Sequence, residues 1–333
     1  MKKSIAIFIS LFFALSLTAC GSSDGGKTTV KVNEVTHSVF YAPFYVAIEN
    51  GYFEEEGLKI DLTNGGGSDA SMAALLSGGA DVALLGPETG VYTALGTPKD
   101  KPVIFAQLTK RDGSFLVGRR AEDNFSWKDL ENKEIIAGRK GGSPAMSLEY
   151  ALNKNDLYNG RNVKLNFDVQ FNLTTAAFES GTGDYVTVFE PTASELQREG
   201  KGYIIASVGL ESGEVPFTCF MARNSFMEKH GDIIEKFIKA LFKAVDYIEG
   251  NDAETIAKAI KNSFPSASDV SLKDSINSYK NADAWQKDMI MTEQSFTKLK
   301  EVMKNAGELD KDVDFLTLVD NSVVKKIHEE IYG

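Results

Sequence analysis

Two glutamates, Glu88 and Glu190, each stand beside a proline where a short hydrophobic run gives way to a helical pattern. Carboxylates at such positions can accept hydrogen bonds from an amine or a ring N–H; in the first turn of a helix they are also stabilised by its dipole, and both readings stay open. Gly67, Gly86 and Gly142 directly precede predicted helices, and Ser68 and Ser143 come next after two of them. The free backbone N–H groups of a helix start suit an oxyanion such as a sulfonate or carboxylate, with Arg139 and Lys140 as nearby cations or simply solvated charges. The two serines can instead cap their own turns. Tyr41, just ahead of Pro43 in a stretch with His37, Phe40, Phe44 and Tyr45, offers a face on which a flat ring can stack. Phe44 and Tyr45 fall on a helix and read as core. Paired carboxylates also hydrolyse glycosides, but nothing else in the chain supports a sugar-cleaving site. The aromatic loop together with Glu88 and Glu190 tips the reading towards a nitrogen heterocycle such as a pyrimidine, with a sulfonate-type anion as the alternative.

Metal and redox chemistry find little material. The chain has two cysteines, Cys20 and Cys219, and three distant histidines, His37, His230 and His328. No cysteine-based zinc site can be assembled from these, and Cys219 reads as a small buried residue. No cofactor is implied, and no phosphate-binding loop of the nucleotide-hydrolysing type occurs.

The scaffold holding these groups is visible in a repeat. Residues 74–89 (ALLSGGADVALLGPET) return without a gap at 177–192 (AFESGTGDYVTVFEPT), with Ala, Ser, Gly, Asp and Thr coinciding at 74/177, 77/180, 78/181, 81/184 and 89/192. In each copy a helix ends at Ser-Gly, a short strand comes next, and a Pro/Glu pair starts the next helix. Around the first copy, alternation predicts strands at Val30, Val32 and Val35, at Leu58, Ile60 and Leu62, and over 82–85, with helices over 43–50 and 68–76 between them. Around the second, strands are predicted over 134–137, at Leu165, Phe167 and Val169, and over 185–188 and 203–206, with a helix over 144–153. This βαβαβ order implies mostly parallel sheets whose ligands bind at the strand C-terminal ends. The chain crosses to a second lobe near 116–119 and returns near 217–222. Lobe 1 is therefore expected to comprise 29–116 and 220–333, and lobe 2 117–219. From Ser225 onward the pattern is helical. Ile234, Phe237, Ile238, Leu241, Phe242, Val245 and Ile248 mark a core face, and helices over 253–264, 292–306 and 317–332 are expected to pack on lobe 1. Trp285 either covers the cleft or packs.

At the other end, Lys2 and Lys3 precede an apolar run over 5–19 that is too short for a permanent span and reads as an export signal, residues 1–19. Leu17-Thr18-Ala19-Cys20 resembles the bacterial lipoprotein box. That resemblance implies a lipidated Cys20 at the mature N-terminus, and two acyl chains on one residue suffice for stable anchoring. Residues 20–28, rich in Gly and Ser, form a flexible linker. The protein is then extracytoplasmic and tethered to the cell membrane. Its 333 residues carry a formal charge of −11, which favours solubility and points to no nucleic-acid partner. The length itself calls for two lobes.

Tyr41-Ala-Pro-Phe-Tyr-Val-Ala, Gly51-Tyr52-Phe53 with Gly57-Leu58, Ser77-Gly-Gly-Ala-Asp-Val82, Leu130-Glu-Asn-Lys133 with the Gly-Gly-Ser143 loop, Phe189-Glu190-Pro191 and Val319-Asp-Asn-Ser322 occur in that order. In this the sequence resembles the substrate-binding lipoproteins of ABC importers, in the group of nitrate, sulfonate, taurine and thiamine-pyrimidine-precursor binders. The resemblance implies the α/β two-lobed periplasmic-binding-protein fold of the second type, with two crossovers and a helical C-terminal segment. It also implies a non-enzymatic receptor that closes on a small ligand and delivers it to a permease driven by an ATPase subunit. Two other classes share the fold. One is a ligand sensor without a transport partner. The other is the pyrimidine synthase of fungal thiamine biosynthesis, whose cysteine-rich iron-linked motif has no counterpart beside the lone Cys219.

Overall fold

The computed structural model describes residues 26–170 and 173–333. The signal and lipobox readings, with Cys20, lie outside the described residues.

Among the described residues, ten strands form two five-stranded mixed sheets. In the first, β1 (Thr28–Glu34), β2 (Leu58–Asn64) and β3 (Val82–Leu85) run parallel, while β10 (Thr218–Arg223) is antiparallel to both β3 and β4 (Pro102–Thr109), giving the order β2-β1-β3-β10-β4. In the second, β6 (Glu134–Ile136), β7 (Lys164–Asn166) and β8 (Tyr185–Phe189) run parallel. There β5 (Ser114–Gly118) is antiparallel to β8 and β9 (Tyr203–Ser207), giving β7-β6-β8-β5-β9. Each sheet thus takes its fourth strand from a crossing of the chain. β5 pairs as a whole in the second sheet, so the strand-to-strand crossing runs through 110–113, ahead of the boundary expected at 116. The return runs through 213–217.

Local sequence explains most of these elements. The helix Ser68–Ser77 stops at Gly78, which takes the left-handed conformation at φ 81°, and the second repeat copy stops its helix Thr174–Glu179 ahead of Gly181 at φ 104°. β3 and β4 are buried along their whole length, as strands covered on both faces must be. The expected strand through Phe167 and Val169 is shorter. Asn166 accepts the Asp168 backbone N–H at 3.0 Å, a local turn that ends β7. The last expected helix is two, Phe315–Leu318 and Ser322–Tyr332, because Val319 between them bridges to Ile104 of β4.

The helix Gly231–Gly250 buries the predicted face against the helix Ala42–Glu49. Phe237, fully buried, has ring centroids 4.8 Å from Phe53, 5.2 Å from Phe220 and 6.0 Å from Phe105. The later helices do not pack on the first lobe alone. Asp269–Asn281 also touches Thr192–Arg198, and Glu293–Asn305 touches Ser143–Lys154, both in the second lobe. Trp285 packs: it is buried and its indole N–H donates to the Phe40 carbonyl at 2.8 Å.

Candidate functional site

The parallel strands of both sheets end at the junction between the lobes, and the polar residues just beyond them are buried there. β1 ends at Glu34, 2% exposed. The Tyr45 hydroxyl donates to one of its oxygens, and His37 Nδ1 donates to Oε1 at 2.8 Å. His37 Nε2 lies 2.7 Å from the Ser263 carbonyl, so both ring nitrogens face acceptors. The hydrogen bond to Glu34 accordingly raises the His37 pKa, against the opposing effect of burial. Its ring also lies against Phe264, with centroids 4.5 Å apart. His37 therefore joins β1 to the C-terminal helical segment.

Tyr41 is buried beside Thr218 and within electrostatic reach of both Glu34 and Glu88; burial raises its pKa. Glu88 is the second residue of the helix Pro87–Leu95 and 3% exposed. A Cβ at Gly86 would lie 2.0 Å from Glu88 Oε2, so only glycine lets this carboxyl fold back over its own helix start. Burial raises the Glu88 pKa, and the side chain and backbone of Ser143, from the second lobe, oppose that rise. Neither Glu88 Oε2 nor Ser143 Oγ has a partner of normal hydrogen-bond geometry.

Gly67, Gly86 and Gly142 are the N-cap residues of the helices Ser68–Ser77, Pro87–Leu95 and Ser143–Lys154. Ser68 and Ser143 are the first residues inside their helices, one place past the capping position. Arg139 is also engaged: its guanidinium makes a two-pronged contact with Asp69 of the first lobe, at 2.7 and 3.2 Å.

Glu190 plays a different part from Glu88. Its Oε2 accepts the Ser194 backbone N–H at 2.9 Å, and its Oε1 accepts the hydroxyls of Ser194 at 2.7 Å and Ser278 at 2.8 Å. Its own N–H donates to the Tyr279 hydroxyl at 3.0 Å. Glu190 thus steadies the start of the helix Thr192–Arg198 and ties it to Asp269–Asn281. The two repeat glutamates do not converge on shared groups.

Further buried polar residues carry no motif. Asn33 and Gln107 lie within β1 and β4, Thr109 ends β4, Asp112 lies on the first crossing, and Ser114 starts β5. A Cβ at Gly65 would be 2.2 Å from Ser71 Oγ and 2.6 Å from Asn33 Oδ1, so this loop is pressed against both. The one signal for the buried polar residues within strands is a polar side chain interrupting an apolar run. Among the described residues, ten buried side-chain atoms lack a hydrogen-bond partner. Four of them are oxygens of Asn33, Glu88, Gln107 and Asp112, which accept in the amide or ionised form, five are Ser or Thr hydroxyls that can donate or accept, and one, Arg111 Nε, is an N–H. The amide nitrogens of Asn33 and Gln107 donate to Thr63 and Thr109, which fixes their oxygens as the unpartnered atoms.

The lobes touch across the cleft. Besides Arg139 and Asp69, the Tyr92 hydroxyl donates to the Gly141 carbonyl at 3.1 Å, Tyr150 to Glu301 at 2.8 Å and Asn153 to Asn305 at 2.7 Å. No group of His, Cys, Asp or Glu that could hold a metal ion occurs among the described residues. In the same residues no helix is long and apolar enough to cross a membrane.

Comparison with known proteins supplies the relationship. The binding protein YtlA of Bacillus subtilis (strain 168) is 41% identical over 330 residues, 99% of this chain and 98% of the relative. A formylaminopyrimidine-binding protein of Halalkalibacterium halodurans is 22% identical over 78% of each chain. The solved alkanesulfonate-binding protein SsuA of Xanthomonas axonopodis pv. citri superposes with a TM-score of 0.71 at 16% identity, covering 89% of this chain and 99% of its own. The architecture is that of the two-lobed periplasmic binding proteins, as the motif order implied. Residues 26–262 match the NMT1-like family, and the chain belongs to that family.

Proposed function

We propose that the protein is the extracytoplasmic, Cys20-anchored solute receptor of an ABC importer, delivering a small nitrogen heterocycle with N–H donors to a permease and its ATPase. The observation that carries the ligand class is the chemistry of the unpartnered atoms at the lobe junction. Of the unpartnered atoms, those on Glu88, Asp112, Asn33 and Gln107 call for donors, the hydroxyls of Ser71, Thr109, Ser114, Ser143 and Ser212 can donate or accept and so serve either ligand, and Arg111 Nε alone cannot accept; the balance favours a ligand that brings N–H groups. Glu34, Glu88, Asp112 and Glu190 are buried, while no lysine or arginine is buried among the described residues. Buried acceptors left without donors are costly, so a donor-bearing ligand gains most there. Tyr41 supplies the aromatic surface beside Glu88. The name of the formylaminopyrimidine-binding relative agrees with this reading; the sulfonate binder shares the fold.

A thermal-melt screen of aminopyrimidines, thiamine, riboflavin, taurine, nitrate and alkanesulfonates tests the proposal. A ligand at a hundred times its Kd adds about 2.7 kcal/mol of apparent stability. Stabilisation by aminopyrimidines supports the reading. Stabilisation by alkanesulfonates alone overturns the ligand class but retains a receptor.

A further inference from the structure

Asp112 lies on the crossing segment between the lobes, 1% exposed. One oxygen, Oδ1, accepts the Ser114 backbone N–H at 2.5 Å; the other, Oδ2, has no partner, and neither has Thr109 Oγ1 or Ser114 Oγ nearby in the chain. Burial pushes the carboxyl up to about 7, moderated by Ser114 and by Ser147 of the second lobe. Ser147 comes four residues after Ser143 in the helix Ser143–Lys154, so the two side chains share one helix face, about 5–6 Å apart at Cβ. Ser143 lies within electrostatic reach of Glu88, and Ser147 of Asp112, and each opposes the rise in its carboxyl's pKa, while Ser143 Oγ, Glu88 Oε2 and Asp112 Oδ2 make no hydrogen bond of normal geometry. A single helix face of the second lobe thus presents two hydroxyls, each against a carboxyl from outside that lobe, and each carboxyl keeps one unbonded oxygen. The backbone around Asp112 is held closely. A Cβ at Gly209 would come 2.1 Å from the Asp112 carbonyl oxygen, and one at Gly113 would come 2.7 Å from the Phe40 ring. The backbone that carries the carboxyl is therefore closely packed, and the Ser114 N–H holds one of its oxygens.

We infer that Glu88 and Asp112 form a two-acceptor subsite along the Ser143–Ser147 face, taking a ligand that carries two separate N–H-bearing nitrogens, with Asp112 as the specificity-determining contact. The inference deepens the receptor reading and rests on it. An analogue lacking the second nitrogen leaves a buried carboxyl unpaired, and sites built on hydrogen bonds discriminate strongly against such analogues.

Calorimetric titration with three probes tests this: 4-amino-5-(aminomethyl)pyrimidine with two such nitrogens, 4-amino-5-methylpyrimidine with one amino group, and ethanesulfonate. The native chain is expected to bind the first at least tenfold more tightly than the second. In Asp112→Asn that preference collapses while affinity for the second is retained. Ser147→Ala, which leaves the carboxyl present but less well oriented, reduces the preference about threefold and serves if the first variant does not fold. A preference unchanged in both variants overturns the role of Asp112 and leaves the receptor reading standing. Tighter binding of ethanesulfonate than of either pyrimidine, or binding of none of the three, overturns the subsite itself.

Discussion

Asp81 and Asp184 make the same bond in two different sheets. Asp81 Oδ2 accepts the Lys31 backbone N–H at 3.0 Å, and Asp184 Oδ2 accepts the Glu134 backbone N–H at 2.9 Å. Each aspartate also donates its own N–H to the carbonyl of the same residue, closing a reciprocal pair that joins β3 to β1 and β8 to β6. The two copies of the sequence repeat are thus one structural device used twice. Replacing either aspartate with alanine removes a charge-assisted bond at a partly solvated site and is expected to cost about 1–2 kcal/mol. Urea unfolding of both variants checks this, and a loss in only one would show the devices to be unequal.

Glu88→Gln separates binding from stability. Burial disfavours the charge on the native carboxyl, so an uncharged amide of the same shape should not lower the melting temperature of the ligand-free protein. Affinity for an aminopyrimidine is expected to fall tenfold or more, about 1.4 kcal/mol. Unchanged affinity would remove Glu88 from the site.

His37 makes stability depend on pH. Its folded-state pKa is raised above 6.5, so its contribution is fully present below the unfolded value and disappears as pH rises through the folded one. The groups facing it are Glu34, the Tyr45 hydroxyl and the Ser263 carbonyl. His37→Gln should flatten the fall in stability above pH 6.5. Because the side chain is 39% exposed, solvent screening holds the effect below about 1 kcal/mol. Melting curves between pH 5.5 and 8.5 read it directly.

Phe237→Ala empties the centre of an aromatic cluster that joins the helix Gly231–Gly250 to the first sheet. A loss of about 3–5 kcal/mol is expected. A loss below 1 kcal/mol in denaturant unfolding would mean that the surrounding rings collapse into the space.

Arg139→Ala breaks the ion pair with Asp69, whose side chains are 58% and 73% exposed. Its cost in global stability should be under about 1 kcal/mol. The same change removes a contact between lobes, and small-angle scattering should show a larger radius of gyration if that contact holds them together.

The fold was legible because its strands and stops are local. Gly78 and Gly181 end helices through backbone freedom that only their own residue type supplies, and the alternating valines of β1 need no partner to be recognised. Val319 shows the limit: its neighbours keep a helical pattern, and only pairing with Ile104 breaks it. At the site, the helix starts after Gly67, Gly86 and Gly142 could be read, but the roles of the side chains on those first turns could not. Glu88 and Glu190 close the two repeat copies one place out of register, each beside a proline, and Gly86 lets one fold back towards Ser143, while Ser194 and Ser278 bond the other. Asp112, outside any strand, lacked even the signal of a polar residue interrupting an apolar run. A lone aspartate between strands looks solvated until the helix bearing Ser147 and the close approach of Gly209 bury it.

The helices Asp269–Asn281 and Glu293–Asn305 lean on both lobes, and the bonds at Ser278, Glu301 and Asn305 must break before the lobes can separate. Those bonds lie in the last part of the chain, beyond residue 262 where the family match ends. In the proposed receptor, any opening that admits or releases a solute has to break them, so the residence time of that solute would depend partly on residues that never touch it. Weakening them with Ser278→Ala and Asn305→Ala would give a receptor that recognises the same compound but lets it go sooner.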